Sequence, residues 1–358
     1  MTKLTVPVLT LACLVVFDLC VALGLGFAER TGRLGTLVEF FDYGRSVPGK
    51  LDKWEANPEI RGAMLDAAWL PRVLERSTAR FQDETATDGP VIRSYGMSFV
   101  NNILKSAVAL RPETLWDAHT GPGVPPNYVY TLFQEDRANR RTGDVVVLGL
   151  LSSGVPAMAA LSNRTWVFEQ PAPLTYPIYW PEGDGLRRID PVITSIAQER
   201  GPDRDAQVLK DWQAQLKQHD RFYGPATFGA PITDISPLLR LMRRALAKSH
   251  VDDTNAQILT DGTYPYQEVL IRMVRAFAET ARADGQVPVV VMVQTRNLSD
   301  VDLAPLLRET LEAEAIPYLA TTDHVSPRDS SVFIHADGHY TPEVDERFAE
   351  HFLDLLDL

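Results

Sequence analysis

Blocks of apolar and polar residues alternate along the second half of the chain. Two continuous apolar runs, at 144–150 and 288–293, are typical of strands that are buried on both faces of a parallel sheet. Shorter strands are predicted at 91–95, 114–117 and 317–320. Helical patterns are predicted at 99–110, 128–137, 205–219, 235–248, 266–283, 303–315 and 342–356. Strands that alternate with helices form a parallel sheet covered on both faces, so the pattern predicts a three-layer α/β/α sandwich with a mostly parallel, flavodoxin-like sheet.

A long insertion, at about 155–285, separates the two apolar runs. Loops of this length in compact domains usually form lids or binding surfaces. Its first part is rich in proline and aromatic residues, among them Trp166, Tyr179 and Trp180. We expect these three side chains to form a sugar-stacking wall over the ligand crevice. Packing in the core is the alternative role for them.

The N-terminal segment, residues 1–28, is almost entirely apolar and is long enough to cross a hydrocarbon core. Its apolar run exceeds that of a usual export signal, so we interpret it as a retained membrane anchor, with a cleavable signal as the alternative. Asp18 interrupts the run. A carboxylate is costly inside a bilayer, which indicates either a polar partner or a segment that is removed.

Residues 29–88 are more polar, with helical stretches, and are predicted to form a stalk or cap. A turn-rich break at 83–90 then leads into a catalytic domain at 89–358. Cys13 and Cys20 are the only cysteines, and both lie in the apolar segment. This distribution suits an exported domain without disulfides, so we expect a single-pass protein whose soluble domain lies on the periplasmic side.

The acidic balance of the chain excludes one class of partner. Its formal charge is −12, and no region clusters the lysines and arginines that a nucleic-acid surface needs. No phosphate-binding glycine loop follows a predicted strand, so the sequence predicts no nucleotide-binding site of that kind. We expect no nucleic-acid partner and no dissociable cofactor.

Three residues supply the chemistry of an activated hydroxyl. Ser98 follows a predicted strand and opens a helix, and Asp337 precedes His339 by two residues just before the last helix. Histidine titrates near neutral pH and can take the proton of a serine, and a carboxylate orients the histidine. The alternatives are that Ser98 only caps its helix and that the Asp337 loop caps the last helix. A metal site that includes His335 is disfavoured, because no second cluster of ligands completes it.

Oxyanion donors are expected near the same strand ends. The backbone N–H of Ser98 lies at a helix N-terminus, and Gly123 offers a second backbone donor, although loop geometry alone would also explain this glycine. Ser152 and Ser153 follow the first apolar run and could donate through their hydroxyls.

These segments resemble, in order, the sequence blocks of the SGNH (GDSL-type) hydrolase superfamily over about 90–358. The blocks are Gly96-Met97-Ser98-Phe99, Gly121-Pro122-Gly123-Val124-Pro125, residues 144–154 and Asp337-Gly338-His339. The Asp-x-His spacing is shorter than the usual Asp-x-x-His of the superfamily and is similar to that of alginate-type polysaccharide O-acetyltransferases, in which the pair precedes the serine. Two positions depart from the superfamily pattern: Met97 replaces the aspartate of the first block, and serines stand where the third block has an oxyanion asparagine.

The resemblance implies a serine esterase or O-acetyltransferase that acts on an acylated glycan, or another small ester, beside the polysaccharide machinery of a bacterial envelope. It assigns Ser98 as nucleophile, His339 as general base, Asp337 as its partner, and Ser98 and Gly123 as oxyanion donors. The rival hypothesis is a catalytically silent scaffold that binds glycan or an assembly partner. The missing asparagine favours the scaffold, and the presence of Ser98, Asp337 and His339 favours the enzyme.

Overall fold

A five-stranded parallel sheet forms the centre of the protein. The computed structural model describes residues 5–57, 70–84, 91–121, 123–229 and 231–356. The strands of the sheet are β1 (Val91–Gly96), β2 (Leu115–Thr120), β3 (Val145–Leu151), β6 (Val287–Val293) and β7 (Tyr318–Ala320), and a separate antiparallel hairpin contains β4 (Ile178–Glu182) and β5 (Gly185–Ile189). The sheet order is β2-β1-β3-β6-β7, and every neighbouring pair is parallel. The predicted fold class is confirmed.

The described residues also form α-helices, several of which cover the two faces of this sheet. They are α1 (Thr5–Arg30), α2 (Gly35–Asp42), α3 (Val47–Glu55), α4 (Leu70–Glu84), α5 (Ser98–Leu110), α6 (Pro126–Glu135), α7 (Asn163–Trp166), α8 (Ile196–Arg200), α9 (Ala206–His219), α10 (Pro237–Leu259), α11 (Tyr266–Ala283), α12 (Leu303–Ala313) and α13 (Pro342–Asp354). Helices α5 and α13 pack against each other, and α11 packs against α6 and α12. Right-handed crossovers between parallel strands place these two groups on opposite faces of the sheet.

Close packing of α5 on the sheet depends on a glycine in β3. A Cβ atom at Gly149 would lie 2.6 Å from Cγ2 of Val100 and 3.3 Å from Cα of Gly96. Only a residue without a side chain therefore lets α5 approach β1 and β3 this closely. This contact positions the start of α5 at the carboxyl end of β1.

The insertion and the N-terminal helices pack together. A small apolar cluster joins Val47 and Leu51 of α3 to Phe168 and Ala247 of the insertion. Helix α4 instead packs beside β2 and α6. The predicted stalk is thus in contact with the domain along the part that the structure describes. The predicted break at 83–90 falls outside the described residues from position 85 onward.

Three element boundaries differ from the prediction. The helix expected to end at residue 248 continues to Leu259. The last helix of the predicted insertion, α11, is the crossover between β3 and β6, so the insertion itself ends before Tyr266. Strand β7 ends at Ala320, and Asp337 therefore follows a long irregular loop rather than a strand.

The N-terminal helix has the dimensions of a membrane span. In the part of the chain that the structure describes, Val6–Arg30 is the one helix that is long and apolar enough to cross a membrane. Nearly all its apolar side chains are exposed to the surroundings. Both cysteines lie on this helix and are also exposed.

Candidate active site

Ser98 lies where the topology places the ligand crevice of a doubly wound sheet. From β1 the chain continues to β2 on one side, whereas from β3 it continues to β6 on the opposite side. The strand order therefore reverses between β1 and β3, and ligands bind at the carboxyl ends of strands that flank such a reversal. Ser98 is the first residue of α5 and is exposed. The N-cap residue is Met97, which is buried and has no capping side chain. The alternative in which Ser98 only caps the helix is therefore wrong.

The three candidate catalytic residues lie together. Oγ of Ser98 is 2.7 Å from Nε2 of His339, within the hydrogen-bonding range for a nucleophile and its base. Nδ1 of His339, on the other side of the ring, is 3.4 Å from Oδ2 of Asp337. The backbone N–H of His339 donates to Oδ1 of Asp337 at 3.0 Å, and this bond is the main cause that lowers the pKa of the carboxyl. Asp337 is therefore ionised at neutral pH.

A tight turn brings Asp337 back toward His339. Gly338 has a φ of 78°, in the left-handed region that favours glycine. Backbone hydrogen bonds close the turn, from the N–H of Gly338 to the carbonyl of Ile334 at 2.9 Å and from the N–H of Ile334 to the carbonyl of His339 at 2.7 Å. The i, i+2 spacing thus places the carboxylate beside the histidine through a turn.

Two aromatic residues that the sequence analysis did not select hold the histidine in place. The ring of Phe99 lies 4.5 Å from the ring of His339, between centroids, and its edge contacts Tyr340. The hydroxyl of Tyr340 donates to the carbonyl of Gln294 just after β6. The available signal was their position, since each directly follows a proposed catalytic residue in the sequence.

The expected backbone donors of an oxyanion hole lie at the same edge of the sheet. The N–H of Ser98 belongs to the first turn of α5, where the helix dipole favours negative charge. Gly123 is exposed, has a φ of 55°, and lies in the loop after β2. That loop is connected to the site by a hydrogen bond from the N–H of Gly121 to the carbonyl of Gly96 at 3.3 Å.

A further side chain that the sequence analysis missed links the helix of Ser98 to the end of β2. Nδ2 of Asn101 donates to Oγ1 of Thr120 at 3.3 Å. Asn101 lies one helical turn after Ser98, and this spacing is the signal by which it could have been found. Its side chain helps to fix α5 relative to the loop that contains Gly123.

The two serines after β3 are in different environments. Ser152 is completely buried, and its Oγ accepts a hydrogen bond from the N–H of Thr295 at 3.2 Å. This bond connects the carboxyl ends of β3 and β6. Ser153 is partly exposed in the same 3₁₀ turn. Of the two predicted hydroxyl donors, Ser153 is therefore the one that can reach a ligand, and Ser152 has a structural role.

The three residues of the predicted aromatic wall differ in exposure, and one of them lies in the core. Tyr179 is buried, and its hydroxyl donates to Gln134 at 3.0 Å. The indole N–H of Trp166 donates to a buried tyrosine hydroxyl at 2.6 Å, and Trp180 packs on the edge of Tyr264. Core packing is thus the role of Tyr179, whose hydroxyl keeps a partner when the ring is buried. Trp166 and Trp180 are partly exposed and pack against the core.

Basic side chains surround the Asp337 turn. Arg296 lies over Gly338 and donates to the carbonyl of His335 at 3.4 Å. A cavity of about 330 Å³ beside this turn is lined by Arg296, Leu298, Pro327, Arg328, Ser330, Phe333 and His335. The described residues contain no group of three or more histidine, cysteine, aspartate or glutamate side chains that could hold a metal ion.

Comparison with known proteins adds no identification. No protein-family model matches this chain, and no curated protein is significantly similar to it. The contacts among Ser98, His339 and Asp337 are therefore the observations from which a function can be argued.

Proposed function

We propose that the protein is a serine acyl-ester hydrolase or O-acyltransferase of the SGNH type, with Ser98 as its nucleophile. The observation that carries the proposal is the 2.7 Å contact between Oγ of Ser98 and Nε2 of His339, with the carboxylate of Asp337 at the opposite ring nitrogen. A serine hydroxyl beside a histidine that a carboxylate orients is the arrangement that activates serine for acyl transfer.

The first half of the reaction transfers the acyl group to the enzyme. Oγ of Ser98 attacks the ester carbonyl while its proton moves to Nε2 of His339, and the carbonyl electrons form an oxyanion. The N–H groups of Ser98 and Gly123 stabilise that oxyanion, and Ser153 contributes its hydroxyl. When the carbonyl re-forms, the alcohol leaves with the proton from His339. Ser98 then holds the acyl group as an ester.

The second half regenerates Ser98. His339 removes a proton from water or from a sugar hydroxyl, whose oxygen attacks the acyl-serine. The acyl group leaves as a carboxylic acid or as a new sugar ester, and the proton returns to Ser98. Throughout both halves, the charge of Asp337 stabilises the imidazolium form of His339.

The substrate class is an acylated glycan of the cell envelope, handled at a membrane. Ser98 is exposed at the crevice, so a large carbohydrate chain can reach it. The long apolar helix α1 supports attachment to a membrane. We place the soluble domain on the periplasmic side as part of the same proposal. The basic residues Arg296 and Arg328 beside the Asp337 turn suit an acidic glycan.

A second candidate function is a silent scaffold that binds glycan or an assembly partner. The observation in its favour is the third block, which has no asparagine and whose first serine, Ser152, is buried and accepts a hydrogen bond from the N–H of Thr295. Loss of one oxyanion donor costs about 2.7–4 kcal/mol of transition-state stabilisation. The scaffold and the enzyme differ in whether Ser98 reacts covalently.

Labelling with a fluorophosphonate separates the two candidates. The full chain in detergent is treated with the probe, and peptides are analysed by mass spectrometry. We expect the phosphonyl group on Ser98, no labelling of Ser98→Ala, and full labelling of Ser249→Ala, a control at an exposed serine of α10. Absence of Ser98-dependent labelling, together with absence of turnover of an activated acetyl ester, would replace the enzyme with the scaffold. Incubation with an acetyl donor and a sugar acceptor then distinguishes transferase from esterase.

A further inference from the structure

One side of α10 changes from apolar to polar along its length. The exposed residues near the start of the helix are Leu238, Leu239, Met242 and Leu246, and Ile232 and Ile235 are exposed in the turn before it. The exposed residues further along are Lys248, Ser249, Asp252 and Asp253. Residues three or four apart lie on the same side of a helix, so the change occurs along one side, between Leu246 and Lys248. We call the first six residues the apolar face.

Two of the three arginines in the same helix segment turn inward. Arg243 is buried, contacts Asp234 and donates to the carbonyl of Gly44 at 3.2 Å. Arg240 is also buried, with its guanidinium 3.3 Å from Asp42. The third, Arg244, is partly exposed, pairs with Glu169 and lies over the ring of Phe40. Ile232 is 73% exposed and Ile235 is 64% exposed, which is costly for such side chains in water.

Helix α10 begins beside the middle of the membrane-spanning candidate. Oδ1 of Asp18 accepts a hydrogen bond from the N–H of Leu238 at 2.7 Å. Leu238 is in the first turn of α10, where a carboxylate interacts favourably with the helix dipole. This contact is the polar partner that the sequence indicated for Asp18. It also places the start of the apolar face against α1.

From that point α10 continues toward the end of α1. Asp42, the partner of Arg240, also contacts Lys53, and Lys53 lies 2.7 Å from Glu29 in the last turn of α1. Helix α1 ends roughly 18 Å beyond Asp18, and the polar part of α10 begins about 15 Å beyond Leu238. The apolar surfaces of the two helices thus end at similar distances from their shared contact.

Helix α2 extends this surface on the other side. It contacts both α1 and α10, and Leu34, Leu37 and Phe40 are exposed on or just before it. The apolar face, α1 and these three residues thus lie on neighbouring helices, with the guanidinium of Arg244 from α10 over the ring of Phe40 from α2. Exposed apolar side chains gathered on neighbouring elements mark an interaction site.

We propose that the apolar face of α10 is immersed in the lipid bilayer beside α1, so that the protein holds the membrane through two elements. The occupant is lipid acyl chains, because the apolar face begins against a helix of membrane-spanning length and composition. Asp18 then lies inside the bilayer with its carboxylate on the first turn of α10, which lowers the cost of burying it. This inference is independent of the chemistry proposed for Ser98.

Depth measurements on the full chain in phosphatidylcholine and phosphatidylglycerol liposomes test the proposal. A nitroxide is attached to single cysteines at Leu239→Cys, Met242→Cys, Ser249→Cys and Asp253→Cys, each in a Cys13→Ala/Cys20→Ala background. Collisions with oxygen, which concentrates in the bilayer, are compared with collisions with a water-soluble nickel chelate. We expect oxygen to dominate at 239 and 242 and the nickel chelate to dominate at the matched positions 249 and 253.

Two outcomes would overturn the proposal. Nickel accessibility at 239 and 242 as high as at 249 would place the apolar face in water. Protection from both reagents at 239 and 242 would mean that a protein, such as a second copy, covers the face. Circular dichroism confirms that each labelled variant is folded. As a second measurement on unlabelled protein, Met242→Glu is expected to expose the 231–246 segment to protease in liposomes, whereas Ser249→Glu is not.

Discussion

Nε2 of His339 lies 2.7 Å from Oγ of Ser98, although 241 residues separate the two along the chain. The sheet makes this contact possible, because α5 begins at the carboxyl end of β1 and the loop before α13 returns to the same edge. Phe99 then packs against the imidazole, and Tyr340 packs against Phe99. The site is thus assembled from the two ends of the α/β domain.

Removal of the nucleophile or the base should abolish ester turnover. We expect Ser98→Ala and His339→Ala each to lower kcat for an activated acetyl ester by at least about a thousandfold, because the two residues act as a unit. The double variant should be little worse than either single variant. Steady-state kinetics on the full chain in detergent measure this effect, with circular dichroism to confirm folding. Activity above a tenth of wild type in Ser98→Ala would contradict the assignment.

Asp337→Asn should reduce activity and change its pH dependence. The asparagine keeps the shape of the side chain but removes the negative charge 3.4 Å from Nδ1 of His339. Because the pKa of Asp337 is lowered, the wild-type carboxylate is ionised above about pH 4 and favours the imidazolium. We expect a decrease in kcat of roughly 10–10⁴-fold and an acid limb of the kcat/KM profile that moves to lower pH. An unchanged profile would show that the carboxylate does not act on His339.

The serines after β3 should separate a structural role from a catalytic one. Ser152→Ala leaves the N–H of Thr295 without its acceptor, so it should cost about 1–3 kcal/mol of stability. Ser153→Ala should leave stability unchanged and lower kcat by about 10²–10³-fold with little change in KM, if its hydroxyl supports the oxyanion. Thermal melting and kinetics on both variants measure these effects. A loss of stability in Ser153→Ala together with a loss of kcat in a stable Ser152→Ala would contradict these assignments.

Replacement of a buried acid in α13 should stabilise the protein at neutral pH but not at acid pH. Burial raises the pKa of Asp345 to about 7, and its Oδ1 has no hydrogen-bond partner among the described residues. The native state therefore holds a proton that the unfolded state loses above about pH 4, and stability decreases from about pH 4 to pH 7 and stays lower above it. At pH 8 we expect the free energy of unfolding of Asp345→Asn to exceed that of wild type by at least about 1 kcal/mol. Thermal melting should show this as a higher unfolding temperature.

Asp345→Asn and wild type should melt at the same temperature near pH 4, where both side chains are neutral. Burial also raises the pKa of Asp220 to about 7, and this group is present in both proteins. Both should therefore lose stability as pH rises, and only the difference between them reports on Asp345. A difference that does not depend on pH would mean that the carboxyl charge is not its cause.

Local sequence patterns were sufficient to predict the sheet and the position of Ser98 at the end of a strand. The apolar runs of β3 and β6 and the boundaries of α11 follow from periodicity, because burial on one or both faces sets the spacing of apolar residues. The short distance between Asp337 and His339 in the sequence likewise required them to lie close in space. The contact with Ser98 was inferred from strand ends that meet at one edge.

The sequence by itself determined the α/β fold, the apolar helix and the residue types of the site, since these depend on neighbours along the chain. Only the tertiary structure decided the role of Tyr179. Its ring can be buried because Gln134, from another segment, accepts a hydrogen bond from its hydroxyl. The same holds for Ser152, whose partner Thr295 is distant in sequence, and for Asp18, whose partner is Leu238. Whether a polar group faces a ligand or the interior depends on partners that folding brings together, and no local pattern contains that information.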